Sequence, residues 1–271
     1  MTNVLGLESG WFQDGQTPWI SAHDLCTQLC TAEPAVSIVE MEQFPNYADK
    51  RQMLSCIYCG RATETRDHVP SKVLLDAPFP ENLPVVPACA HCNQSFSNDE
   101  AYFACLIECV LCGSTEPEKL MRPNVRRILQ DRQSLRERIQ NASFFDQKGG
   151  TTFNVEQQRA KNVILKLARG HCAYELNEIE RDDPSSFMML PFTALTQEQR
   201  DHFEAVPGGP IGVWPEVGSR SFQRLLIADN AYHMGWLTVQ EGRYRYLVQG
   251  EAGTVIRIVV SEYLACEVIW V

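Results

Sequence analysis

The chain has 271 residues, 44% hydrophobic and 21% charged, which suits one large globular domain or two modest ones. No run approaches the roughly 18 apolar residues of a membrane span, and the opening MTNVLGLESG lacks the basic and apolar regions of a secretory leader, so a cytoplasmic location is expected. A net charge of −10 argues against a tight, non-specific DNA coat and leaves any nucleic-acid contact to local basic patches.

Residues 1–50 form an N-terminal region to which no role is assigned. It holds a strand-like stretch at Val36–Val39 and a helical turn near Ser21–Leu29. Cys26 and Cys30 share a helical face but lack a nearby second pair, and read as ordinary thiols. Residues 51–115 carry the cysteine pairs treated below. Within them a helix is expected from Asn98 to Cys112, opened by a Ser97–Glu100 capping box and closed by Gly113. Cys105, Cys109 and Cys112 recur on it at helical spacing and read as small core residues.

Residues 116–205 form a helical, partly basic region. From Glu118 to Gln140, Lys119 and six arginines face three acidic side chains. Arg122, Arg126 and Arg136 share a face if the helix is continuous, although Pro123 equally suits a helix start. Two readings follow: a solvated face with i,i+4 pairs, or a surface that tracks phosphates. A second helix is expected over Val155–Arg169, ended by Gly170, with Val163, Ile164 and Leu167 inward. Arg159, Lys161, Lys166 and Arg169 add positive charge to it. Residues 206–271 turn to β character after Pro207–Pro210. Trp236–Gln240, Tyr244–Val248 and Thr254–Val260 read as a meander, and Ser261–Val271 as a short helix closing onto it.

The chemistry is concentrated in residues 56–100. Eleven cysteines in a reducing compartment point to metal ligation before disulfides. Cys56-Ile57-Tyr58-Cys59 and Cys89-Ala90-His91-Cys92 are two CxxC knuckles, a four-thiolate set suited to a closed, structural zinc site. His91 is not expected among the ligands. A simple zinc ribbon closes after about 15–20 residues, whereas 29 separate Cys59 from Cys89. The extra length contains Arg66-Asp67-His68-Val69-Pro70 and Glu81-Asn82-Leu83, and Asn93 follows the second knuckle directly.

In that order, Cys-x-x-Cys, Asp-His, Asn-Leu and Cys-x-x-Cys-Asn resemble the HNH endonuclease family over about a sixth of the chain. The resemblance implies a β-hairpin and helix around a metal. It makes His68 the general base toward water, a task suited to a neutral imidazole. It makes Asn82 the residue that orients that histidine, and Asp67 with Asn93 the ligands of a catalytic Mg²⁺ or Mn²⁺. Arg66 and Lys72 flank the base as candidate phosphate contacts. His171, His202 and His233 lack such a setting and read as structural.

The fold class expected is therefore α+β: a ββα-metal module stapled by a four-cysteine zinc site, then a helical segment and a β-rich C-terminal meander. The function expected is metal-dependent hydrolysis of DNA, duplex before single-stranded. By analogy the setting is bacterial restriction or phage defence, with residues 210–271 left to substrate selection, homo-oligomerisation or regulation. The alternative is a non-catalytic, zinc-stabilised module that docks nucleic acid or protein. A thiol redox enzyme is a third reading.

Overall fold

The computed structural model describes residues 19–20, 45–47, 53–81, 83–146, 150–205, 217–227, 235–250 and 253–271. Asn82, His233 and the segments expected at 21–29 and 36–39 lie outside the described residues. Strand β1 (Trp19–Ile20) comes first. Strands β2 (Thr65–His68) and β3 (Val85–Ala88) then form an antiparallel hairpin, with Thr65 opposite Ala88 and His68 opposite Val85. Helix α1 (Ala90–Cys112) follows at once. It starts earlier than expected because the second knuckle caps it. The Cys89 sulfur accepts the Cys92 amide at 3.4 Å, where an oxygen usually serves. Ser97 lies inside the helix and bonds the Gln94 carbonyl. The far end is as expected, with Gly113 left-handed at φ 63°. Cys105 and Cys109 are buried, and burial pushes the Cys105 thiol up to about 12.

The expected basic helix is broken at Arg132 into α2 (Pro123–Asp131) and α3 (Gln133–Asn141). Glu108 of α1 accepts the Met121 and Arg122 amides at 2.7 and 2.8 Å, placing a carboxylate at the start of α2. Strands β4 (Ser143–Phe145) and β5 (Thr151–Phe153) join β1 in a small sheet of order β1-β5-β4. Helix α4 (Gln157–Glu175) runs through Gly170 instead of ending there. Strand β6 (Ser186–Pro191), α5 (Gln197–Glu204) and α6 (Arg220–Ile227) follow.

The C-terminal sheet is antiparallel, order β6-β10-β9-β8-β7, from β7 (Trp236–Gln240), β8 (Tyr244–Gly250), β9 (Thr254–Val260) and β10 (Leu264–Trp270). The meander is as expected, but the tail is a strand between β6 and β9, not a helix. A three-residue loop, Ser261 to Tyr263, makes the reversal, with Ser261 and Glu262 at φ 53° and 47°. Both faces of the sheet are covered. Ile256, Ile258, Leu264 and Cys266 pack in the main core with α1 and α4, and Val259 and Ala265 pack with Leu195 and Phe203. That main core crosses the boundaries expected at 115 and 205. No helix among the described residues is long and apolar enough to cross a membrane.

His171 of α4 is wholly buried against this sheet, as the structural reading expects. It stacks on Tyr246 with ring centroids 3.7 Å apart and meets the Tyr244 hydroxyl at 2.8 Å. Burial, and after it Lys166, hold its imidazole well below the ordinary 6.5. Below about pH 6.5 the unfolded chain therefore takes up a proton that the folded one refuses. This group should subtract up to about 1.4 kcal/mol of stability per pH unit as pH falls from there, and nothing above it. Urea unfolding at pH 7.5 and 5.5 checks this: His171→Gln should lose less stability than wild type between the two.

Candidate metal centre and histidine hairpin

The first knuckle is a tight turn. The Cys56 amide bonds the Arg61 carbonyl at 2.8 Å, the Gly60 amide returns to the Cys56 carbonyl at 2.9 Å, and Gly60 adopts φ 76°. The second knuckle opens α1. Together they bring the sulfurs of Cys56, Cys59, Cys89 and Cys92 within 4.8 Å of one another, with Cys59 and Cys89 at 3.6 Å. A tetrahedron with Zn–S of about 2.3 Å has sulfur–sulfur edges of about 3.8 Å, so the set fits a metal such as zinc. The Arg61 backbone amide draws the exposed Cys59 thiol down to about 7, while burial pushes Cys92 up. His91 is exposed and outside the cluster.

Side chains alternate along β2. Arg66 is exposed and His68 half-buried on one face, while Asp67 turns inward and is 6% exposed. Among the described residues the His68 ring makes no hydrogen bond. Burial, then nearby Lys72, lower its pKa from 6.5, and Asp67 opposes them. His68 is therefore neutral at pH 7. Lys72 is exposed, its ammonium 5.6 Å from the Phe79 ring centre.

Asp67 is fully engaged. Tyr58 donates its hydroxyl at 2.8 Å, and the Lys166 ammonium lies 3.0 Å away. Burial and Asp67 raise the Tyr58 hydroxyl well above its usual range, so it stays a donor. Lys166, 1% exposed, also donates to Ser71 at 2.8 Å and Glu100 at 2.6 Å, and its nitrogen is 3.5 Å from the His68 carbonyl. Asn93 spends its amide NH₂ on the Thr65 hydroxyl at 3.2 Å and the Arg66 carbonyl at 3.5 Å. Asp67 thus meets an ammonium where a catalytic cation was expected, while Asn93 uses only its NH₂. The physical reason is that Asp67 faces α4, which delivers an ammonium to it.

In the basic stretch three cations are committed within the chain, while Lys119, Arg127, Arg132 and Arg138 stay exposed. Arg122 is buried on Asp76 and on the Val73 and Leu75 carbonyls, Arg126 bonds the Leu120 carbonyl, and Arg136 pairs with Glu116. Arg122 thereby anchors the segment just beyond the hairpin. The sequence signal for Lys166 was its position among the inward residues Val163, Ile164 and Leu167. Gly170 carries another. A Cβ there would lie 2.5 Å from Cγ2 of Val69, the fully buried residue after the histidine. Gly170→Ala gains about 1 kcal/mol of helix propensity against overpacking of about 1–3 kcal/mol. A lower urea midpoint is expected, since Val69 is fully buried. Elsewhere, Cys172, Glu178 and Glu180 place donor atoms within 4.8 Å of one another beside a cavity of about 380 Å³ lined by Asp182 and Asp183. Compared with protein-family models, curated proteins and solved structures, the chain matches none.

Proposed function

We propose that this chain hydrolyses DNA phosphodiester bonds, with His68 as the general base, in the manner of the HNH endonucleases its knuckle segment resembles. The observation that carries the reading is His68 itself: a half-buried imidazole, without a hydrogen bond among the described residues, at the end of a hairpin braced by a four-thiol cluster. Such a group takes a proton from water as the oxygen attacks phosphorus and the P–O bond to the sugar oxygen breaks, that oxygen taking a proton from solvent. General-base help of this kind is worth about 10²–10⁴-fold in rate. Arg66 shares its strand face and Lys72 acts on it electrostatically, so two exposed cations flank the place a phosphate would occupy. The thiol cluster is a brace and not a reaction centre, because four sulfurs close a tetrahedral metal. No step here runs through a divalent cation on Asp67, whose oxygens are taken. A role in restriction or phage defence, in the cytoplasm, goes with this reading.

The engaged Asp67 favours a second reading, a zinc-stabilised module that docks nucleic acid without cutting it. Plasmid and oligonucleotide cleavage assays separate the two. The wild-type protein should cut, and His68→Ala should lower the rate about 10²–10⁴-fold with unchanged circular dichroism. A protein that binds duplex, single-stranded and modified DNA without cutting any of them is the docking module.

A further inference from the structure

Lys166 sits in a cage made entirely of oxygens. Asp67 and Glu100 contribute carboxylates, Ser71 a hydroxyl that also bonds Glu100, and the His68 carbonyl lies at the edge. Hard oxygens from two carboxylates are the donors that Mg²⁺ and Mn²⁺ select. An ammonium offers three donors and one charge, and here it meets more oxygens than it has protons. The cage lies just under the surface, with side-chain exposures of 1% for Lys166, 8% for Asp67 and 14% for Glu100.

We infer that Lys166 supplies from within the chain the cation that the nuclease resemblance would place on Asp67 as a divalent metal. Its ammonium neutralises Asp67, ties the His68 strand to α1 and α4, and closes the cage to Mg²⁺ and Mn²⁺. Lys166 is thus a positioning residue, acting on the base through Asp67 and the His68 carbonyl. The inference rests on the nuclease reading for its contrast, but its test reads cation binding and not cleavage.

The test uses the full chain with its cysteine site loaded with zinc and other divalent ions removed. Mn²⁺ is titrated while broadening of the Ser71 and Glu100 amide NMR signals is followed. Wild type should show none at millimolar Mn²⁺. Lys166→Ala should take up one further Mn²⁺ by electron paramagnetic resonance and gain thermal stability from it, and Asp67→Asn in that background should abolish both. Broadening in the wild type overturns the inference, as does a folded Lys166→Ala protein that gains no Mn²⁺. Where Lys166→Ala does not fold even with Mn²⁺, the wild-type spectra decide alone. Failure of the nuclease reading looks different: no cleavage under any condition, whatever the Mn²⁺ result.

Discussion

Without added divalent cation, Lys166→Ala should lose about 3–5 kcal/mol of stability, the usual cost of removing one partner from a buried ion pair. The cost comes from what remains more than from what is lost. Asp67 and Glu100 would share a nearly closed space with no cation between them, and among the described residues the Tyr58 and Ser71 hydroxyls are the donors left to them. Replacing all three ionic groups separates these terms. Lys166→Met with Asp67→Asn and Glu100→Gln should recover most of the loss, because no unpaired charge is then buried. Urea unfolding of the single and triple variants measures this. Equal losses in both would show that lysine packing, not charge, holds the hairpin. DNA cleavage should fall with the single variant as well, since the strand it frees ends in His68.

Disrupting the thiol cluster should have the second large effect, confined to one region. Structural zinc supplies about 10–16 kcal/mol of apparent binding energy in small finger peptides, which unfold without it. This chain is different, because its main core joins α1 and α4 to the C-terminal sheet without the knuckles. Cys56, Cys89 and Cys92 belong to a separate, smaller cluster with Val69 and Val86. Cys89→Ala removes both a ligand and the cap of α1. Hydrogen exchange should then show lost protection over residues 53–70 and 85–97 and retained protection in β8, β9 and β10. Elemental analysis of the wild type should return one zinc per chain, and clearly less in the variant. Loss of protection throughout the C-terminal sheet would mean that the knuckles hold the whole fold.

Both predictions turn on how much of the molecule its sequence discloses. The four-cysteine cluster was legible because two CxxC pairs in one chain point to a shared metal. The meander was legible through its turns, Glu241-Gly242 and Gly250–Gly253. Strand β10 was not, for two reasons. Its reversal uses Ser261 and Glu262, neither a usual residue for left-handed φ, and burial on both faces erases the alternation that marks a strand. Strand β6, the partner that makes β10 interior, was not anticipated at all. The neutral state of His68 followed from its residue type, and the structure adds burial and Lys72 as causes. The fate of Asp67 was hidden because its partner lies 99 positions away on a helix whose lysines read as surface charge. Glu100 misled in another way. Three residues after Ser97 it completes a capping motif, yet the knuckle had already started the helix and the side chain turns to Lys166 instead.

That 99-residue separation also sets a clock. Cys59 and Cys89 are 30 positions apart, so the thiol cluster can close soon after the second knuckle leaves the ribosome. Lys166 follows Asp67 only after about 5–20 s of synthesis, at about 5–20 residues per second. For that interval a nascent chain carries a braced knuckle whose histidine strand has no clamp, and Asp67 and Glu100 face water. The clamp on the histidine strand is thus completed by α4, well after the motif that precedes it. A cell making this protein meets the clamped strand only once more than half the chain exists.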